Sequence, residues 1–425
     1  MTVLAFLYGL SLVEAPPKYW GTVAASAVLL ALYGAGLVRL VPAASSAILG
    51  EEPHLRREGD RTFRRCGTRE LFKLFLIVVL VRLLEFPLTY IVHYAMFGYT
   101  GTFFEVQRLW LDLYHPETAF PLYGYLSDVF WIFTVNFNHA RFIGSYLFTS
   151  LAVVALYYLV QLDFDRKIAR RAVRYCLLLP FSLTLMGTVP DGLFLLLSIL
   201  SLLFLRKKLF PLSNLFAMLA VLTHALGVLL FVPLLFGYVS FLIGNIRANR
   251  GTEKGYIVKQ ILTVLSFLLI PVGVGLVMLY SSLRFGDALS LYTDVFRADG
   301  VGISGLFRFT DAAFLETRIV GGNAPAVLFG TYLSQFIYLL FALLMLLLSA
   351  DTVPSAFALL MAVTIPITSV TGRMQDTAGF ITITAPFVIT FAAKVKNRWA
   401  DAVVTVLLLA GWIAYFFAFI AGFTG

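Results

Sequence analysis

One polar stretch, residues 102–126 (TFFEVQRLWLDLYHPETAFPLYGYL), interrupts an otherwise apolar chain and carries three carboxylates, an arginine and a histidine. Glu105 lies among aromatic residues that would exclude water, and a carboxylate there could take the proton of an attacking hydroxyl as a general base. Asp112 is the alternative base and His115 is a third candidate. The competing interpretation is an ordinary solvated acid in a loop.

Two arginines follow apolar segments in the second half of the chain. Arg284 opens the phrase RFGD, and Arg373 lies within TGRMQD. A guanidinium offers paired donors that fit phosphate oxygens, so each arginine is a candidate phosphate ligand. The alternative is that each side chain extends along an apolar surface and keeps its charge in water at a membrane boundary.

Three further residues could line a site. Asp191, in GTVPDGLF, lies at the predicted start of a helix, where a carboxylate either stabilises the helix dipole or contacts a substrate hydroxyl. His224, in THALG, is an ionisable residue within apolar sequence, which favours a functional role as much as a structural one. Tyr123, in AFPLYGYL, follows a proline-fixed turn and could wall a sugar or lipid site or simply pack.

The elements that must position these residues are membrane-spanning helices. The chain has 425 residues, of which 60% are hydrophobic and 13% charged, with a mean hydropathy of +0.89. Repeated apolar runs of about 20 residues can each cross a hydrocarbon core. The sequence therefore predicts an all-α, polytopic membrane protein with about 12–13 transmembrane helices.

The distribution of Lys and Arg predicts the orientation. About two thirds of the 32 basic residues fall in one set of short loops, which the positive-inside rule assigns to the cytoplasm. The opposite face receives two long segments, 95–141 and 282–324, which are too short to be independent domains. We expect them to fold back onto the helix ends as a cap. The polar stretch that begins at residue 102 belongs to this cap.

Several function classes are disfavoured by missing signatures. The sequence contains no nucleotide-binding loop, no dinucleotide fingerprint, no HExxH and no Cys/His cluster, so no cofactor is predicted. It carries no signal for a metal, although the chemistry considered below leaves room for a divalent cation. The positive charge lies in membrane-flanking loops, which gives no reason to expect a nucleic-acid partner.

The motifs, taken in chain order, resemble those of the PIG-V type of mannosyltransferases in the GT-C superfamily. The clearest part is 176–235, where PDGLF and THALG stand at the positions of the family's acidic outer turn and its Thr-Arg phrase. RFGDALSLY, SVTGRMQD and AFPLYGYL resemble further family phrases. The chain departs from the family at Glu105, where a Trp-Asp pair is usual, at His224, where an arginine is usual, and at Met374, where a tyrosine is usual.

The resemblance implies a GT-C-like fold and an enzyme that transfers a sugar, often mannose, from a polyprenyl- or dolichyl-phosphate donor to an acceptor hydroxyl with inversion. Glu105 or Asp112 would be the base, and Arg373 and Arg284 would hold the donor phosphate. Asp191, His224, His115 and Tyr123 would line the substrate. Two other interpretations stay open, namely a non-catalytic membrane subunit of the same architecture and, with less support, a transporter of lipid-linked sugars.

The expected organisation follows from the same pattern. It comprises N-terminal membrane segments (1–50), a basic cytoplasmic loop (51–73), a GT-C-like core (71–400) and a C-terminal transmembrane helix (400–425). The location would be the plasma membrane in a prokaryote or the endoplasmic reticulum in a eukaryote. The acceptor is a glycan, a lipid or a protein. Whether the N-terminal segment docks a partner subunit in the membrane is left open.

Overall fold

The computed structural model describes eight ranges of the chain: 20–48, 67–97, 120–134, 137–186, 189–247, 256–292, 334–370 and 379–420. Within these ranges the backbone is helical and contains no strand. The predicted all-α class is therefore confirmed for the described residues. Most of residues 95–141 and 282–324, which were expected to form the cap, lie outside these ranges, so the cap remains a prediction.

The helices of the first half are α1 (Trp20–Ile48), α2 (Thr68–Phe97), α3 (Pro121–Asp128), α4 (Trp131–Thr134), α5 (Phe137–Asp163), α6 (Arg166–Leu178) and α7 (Asp191–Arg206). Those of the second half are α8 (Phe210–Val221), α9 (Phe231–Arg247), α10 (Tyr256–Ser266), α11 (Leu269–Phe285), α12 (Ser334–Ser349), α13 (Ser355–Val370), α14 (Ala385–Lys394) and α15 (Arg398–Ile420). Two 3₁₀ segments, Pro180–Met186 and Ala225–Leu230, precede α7 and α9.

Six helical segments in the described ranges are long and apolar enough to cross a membrane: Val28–Ile48, Thr68–Val92, His139–Asp163, Ala225–Arg247, Gln260–Phe285 and Arg398–Phe417. Four shorter apolar helices accompany them, at Phe210–Val221, Ile337–Ser349, Ser355–Pro366 and Ala385–Lys394. This agrees with a polytopic membrane protein. The expected total of 12–13 crossings stays a prediction, because length and composition alone support six.

The centre of the bundle is α7, which packs against α5 on one side and α8 on the other. Gly192 permits the first approach, since a Cβ there would collide with the hydroxyl of Thr149 on α5. Ser201 and Ser213 join α7 to α8, each donating its hydroxyl to the other's carbonyl at 3.0 and 2.7 Å. Small residues and interhelical hydrogen bonds are the usual means by which helices associate in lipid.

Apolar side chains also cover much of the outer surface. On α15, Leu407 is 65% exposed and Val406 64%, and on α2, Leu84 is 68% exposed. Water would not stabilise such surfaces, whereas lipid chains would. The exposed faces of α2 and α15 are therefore the natural lipid contacts of the bundle.

Ion pairs gather the ends of several helices at one face. Asp163, at the end of α5, pairs with Arg206 at the end of α7. Glu70, at the start of α2, lies 3.3 Å from Arg166 and 3.6 Å from Arg170 of α6. These contacts join segments that the positive-inside rule places in the cytoplasm.

Candidate functional site

The THALG phrase forms a break between α8 and the following 3₁₀ segment, and His224 lies at the break. Its backbone is extended (φ −157°, ψ 144°), and its Nδ1 accepts a hydrogen bond from the backbone N–H of Leu226 at 3.1 Å. The imidazole thus acts as the N-cap of the 3₁₀ segment. Because Nδ1 accepts, we assign the proton of the neutral ring to Nε2, which can then donate to a ligand.

Aromatic side chains surround the His224 ring. Phe120 stacks on it with ring centroids 6.4 Å apart and an interplanar angle of 13°. Phe194 lies at 5.1 Å, and Phe380 meets the ring edge-on at 5.6 Å. Tyr292 contacts Phe120 edge-on at 5.5 Å. We call these five residues the His224 cluster.

The cluster brings together segments that are far apart in the chain. Phe120 immediately precedes α3, Phe194 belongs to the first turn of α7, and Tyr292 follows α11. Phe380 lies four residues after the end of the SVTGRMQD phrase, in the short helical stretch 379–382. Residues of four phrases that sequence reasoning singled out separately, together with Phe380, therefore meet at one end of α8, and this convergence defines the candidate site.

Local backbone contacts fix this arrangement. The N–H of Leu122 donates to the carbonyl of Leu222 at 3.1 Å, which ties AFPLYGYL to the end of α8. Gly227 lies against α8 so closely that a Cβ would stand 2.6 Å from the carbonyl carbon of Ala220 and would also collide with the backbone of Val221. The glycine of THALG is therefore required by close packing.

Asp191 is the first residue of α7 and follows Pro190 at the N-cap. It is partly exposed and lies three residues before Phe194, so both side chains belong to the same face of the first turn. A carboxylate is favoured at this position by the helix dipole. The position suits both predicted roles, dipole stabilisation and contact with a substrate hydroxyl.

Tyr123 is fully buried, and its hydroxyl donates to the carbonyl of Arg141 at 2.9 Å. Arg141 in turn pairs with Asp128 at 3.1 Å. These contacts hold α3 against α5. Packing, one of the two interpretations of AFPLYGYL, accounts for what the structure shows at Tyr123, and its role as a substrate-lining residue stays a prediction.

Arg284 is exposed near the end of α11, with its guanidinium about equally far from the rings of Tyr280 (6.0 Å) and Phe285 (5.9 Å). The helix ends at Gly286, whose φ of +78° suits glycine. The chain then leads to Tyr292 in the cluster. Partial burial raises the pKa of the Tyr292 hydroxyl to about 12, so the phenol stays protonated at neutral pH.

Four predicted site residues, Glu105, Asp112, His115 and Arg373, lie outside the described residues. Among the residues that the structure does describe, no group of three His, Cys, Asp or Glu side chains could hold a metal ion.

Sequence reasoning missed the aromatic members of the cluster. Phe120, Phe194 and Tyr292 each belong to a phrase that was singled out for a charged or turn-forming residue, and Phe380 follows such a phrase by four residues. Their proximity to these phrases was the available signal. It was weak because the chain has 40 phenylalanines and 20 tyrosines, so an aromatic residue close to any given phrase is common.

The arrangement combines flat aromatic faces with a few polar groups, which is typical of small-molecule sites. No family model matches the chain, and no curated protein matches it. The likeness to the PIG-V type of mannosyltransferases therefore remains a resemblance of motifs.

Proposed function

We propose that this chain is a membrane glycosyltransferase that moves a sugar, with mannose as the first candidate, from a polyprenyl- or dolichyl-phosphate donor to an acceptor hydroxyl. The observation that carries the proposal is the His224 cluster. Phrases that resemble the PIG-V type at separate points of the chain, around Phe120, Phe194, His224 and Tyr292, meet there. Proximity in space of phrases that lie far apart in the chain is what a shared substrate site requires.

The chemistry of the cluster suits a sugar. Aromatic rings offer apolar faces, while Nε2–H of His224 and the protonated Tyr292 hydroxyl offer hydrogen bonds. The apolar surroundings would limit access of water, which would otherwise hydrolyse the activated donor. A donor carried on a polyprenyl chain would reach such a site sideways from the bilayer, beside the lipid-facing helices.

The proposed reaction is a single displacement at the anomeric carbon. The acceptor oxygen forms the new bond, the bond from the anomeric carbon to the phosphate oxygen breaks, and the polyprenyl phosphate leaves with the electron pair. Glu105, or alternatively Asp112, takes the acceptor proton. Arg373 and Arg284 hold the phosphate, and Asp191, His224, His115 and Tyr123 line the site.

A second candidate function, a non-catalytic membrane subunit of the same architecture, is favoured by how closely the cluster is packed. The rings of Phe194 and Phe380 lie 5.1 and 5.6 Å from the His224 ring, and the cavity that Phe194 lines with Leu226 measures only about 10 Å³. Such a volume holds one water molecule at most. A subunit that only binds a partner needs no cavity for a sugar, so such close packing is compatible with that role.

The test is to incubate purified full-length protein with radiolabelled polyprenyl-phosphate-mannose and a panel of hydroxyl acceptors. We expect labelled product, and a fall of at least about 100-fold in the Glu105→Gln or the Asp112→Asn variant, because a general base contributes that much. Asp351→Asn, at an exposed acid between α12 and α13 that has no role in the proposed site, is the matched control and should keep full turnover.

Thermal unfolding of each variant shows whether a loss of turnover reflects a loss of fold. Transfer that survives in the folded Glu105→Gln/Asp112→Asn double variant would refute the assignment of the base. No transfer by the wild-type chain to any acceptor, together with changed assembly in the His224 variants, would favour the subunit.

A further inference from the structure

A cavity of about 420 Å³ lies at the end of α8 opposite the His224 cluster. It is bounded by the ends of α1, α7 and α9 and by the starts of α8 and α13. His224 follows the last turn of α8 and Phe210 begins its first, so about 18 Å of helix separates the two places. The cavity is thus a separate site, on the face that carries the basic loops.

The mouth of this cavity carries positive charge that is only partly neutralised. Arg206 pairs with Asp163, whose side chain is 3% exposed. Lys208 is exposed and forms no ion pair with an acid of the described ranges, and its ammonium lies 5.9 Å from the ring centroid of Phe241. Beside the opening there is therefore a cation that no acid of the described ranges neutralises.

The backbone at Lys208 is unusual. Its φ is +58°, in the left-handed region, two residues after the end of α7. The N–H groups of Lys208 and Leu209 donate to the carbonyls of Leu205 and Phe204, both at 2.9 Å, which is the helix ending that glycine usually provides. A lysine here is disfavoured relative to glycine. What it adds is the ammonium at the cavity.

A polar side chain inside the cavity has its hydrogen-bonding capacity unused. The hydroxyl oxygen of Ser240 is buried and has no hydrogen-bond partner within the described residues. Asn245, five residues further along α9, also lines the cavity. Buried hydroxyls normally find a partner. A ligand with acceptor oxygens would supply one here.

The remaining walls are apolar. Phe210, Phe236 and Phe241 line the cavity. On the same helix α9, Leu235 and Ile246 are 41% and 63% exposed on the surface that lipid would cover. The cationic and polar groups at the mouth suit the charged headgroup of a phospholipid. The lipid-facing apolar surface beside them suits its acyl chains.

We propose that this cavity binds the phosphate group of an anionic phospholipid, with Lys208 as its cation and Ser240 as a hydroxyl donor. The acyl chains lie along α9. This site is separate from the His224 cluster, so the test of lipid binding does not depend on whether the protein transfers a sugar.

Native mass spectrometry of the full-length protein, with phosphatidylglycerol or phosphatidylcholine added, tests the proposal. Lys208→Gly keeps the backbone conformation and removes the charge, and we expect it to lower phosphatidylglycerol retention about fivefold. Lys207→Gln is the charge-matched control, because Lys207 contacts the ring of Tyr158 at 4.7 Å and does not line the cavity. It should retain the lipid.

A steric variant tests the cavity itself. Gly244 lines it, and a Cβ there meets nothing within 4 Å, so Gly244→Leu should fill the space and displace the lipid without a change of charge. Gly275→Leu, at an equally open position on α11, is the control. Equal losses in the Lys207→Gln variant, equal retention of phosphatidylcholine, or displacement of the lipid by inorganic phosphate at millimolar concentration would each overturn the proposal.

Discussion

At the scale of single residues, His224 has two separable roles. Its ring packs among aromatic side chains, and its Nδ1 caps the 3₁₀ segment through Leu226. The cap is a structural duty that the histidine carries whether or not it also meets a substrate. A substitution that keeps an aromatic ring at position 224 but removes the Nδ1 acceptor can therefore separate the contribution of packing from that of the cap.

We predict that His224→Phe lowers the stability of the protein by about 1–3 kcal/mol, because the ring contacts persist while the N–H of Leu226 loses its acceptor. His224→Ala should be less stable still, since it also loses the aromatic contacts at about 0.5–1.5 kcal/mol per pair. Thermal unfolding in detergent measures both. A phenylalanine variant that unfolds at the wild-type midpoint would show that the cap contributes nothing.

Gly227 supports a second prediction at this scale. Gly227→Ala should destabilise the protein by about 1–3 kcal/mol, because its Cβ would meet the backbone of α8 and force it to move. Gly244→Ala, in open space on α9, should instead be neutral or stabilise by up to about 1 kcal/mol. Equal unfolding midpoints for the two variants would contradict the close approach at Gly227.

At the scale of elements, α6 shows how a basic helix is held on the bundle. Its buried face carries Ala169, Ala172 and Cys176. On its other side, Arg171 and Arg174 both pair with Asp401 of α15, and the hydroxyl of Tyr175 donates to the same carboxylate at 2.8 Å. One acid therefore connects α6 to the C-terminal helix.

Asp401→Asn should loosen that connection. The amide keeps the size of the side chain but loses the charge that two guanidiniums face, and we expect a loss of about 1–3 kcal/mol. The control is Asp351→Asn, an exposed acid with no ion pair to a described residue. Limited proteolysis and thermal unfolding should distinguish the two variants; identical behaviour would mean that Asp401 does not hold α15 in place.

At the scale of the whole molecule, the orientation across the membrane is the main testable property. The positive-inside rule places Lys207 in the cytoplasm and Asp287 on the opposite side. Lys207 adjoins Lys208, which lines the 420 Å³ cavity, and Asp287 lies five residues before Tyr292 of the His224 cluster.

Cysteine labelling tests this orientation. In a background with Cys66 replaced by serine, Asp287→Cys should react with a membrane-impermeant maleimide in intact cells. Lys207→Cys should react only after the membrane is permeabilised. The native Cys176 is buried and should stay silent in both cases. Labelling of Lys207→Cys in intact cells would reverse the assigned faces, and with them the location of the proposed site.

The sequence by itself determined the class of the molecule and the placement of its apolar segments. Hydrocarbon-length runs and the asymmetry of Lys and Arg are local properties, so they can be read from composition without knowledge of contacts. The same local reading singled out His224, Asp191 and Arg284, because a charged or ionisable residue is conspicuous in apolar sequence.

Only the tertiary structure decided which of these residues meet. Phe120, Phe194, Tyr292 and Phe380 come from segments up to 260 residues apart, and helical periodicity carries no information about which helix ends lie side by side. In lipid, apolar faces gain little by choosing one partner over another. Close approaches at small residues such as Gly192 and Gly227, and hydrogen bonds between helices, make that choice.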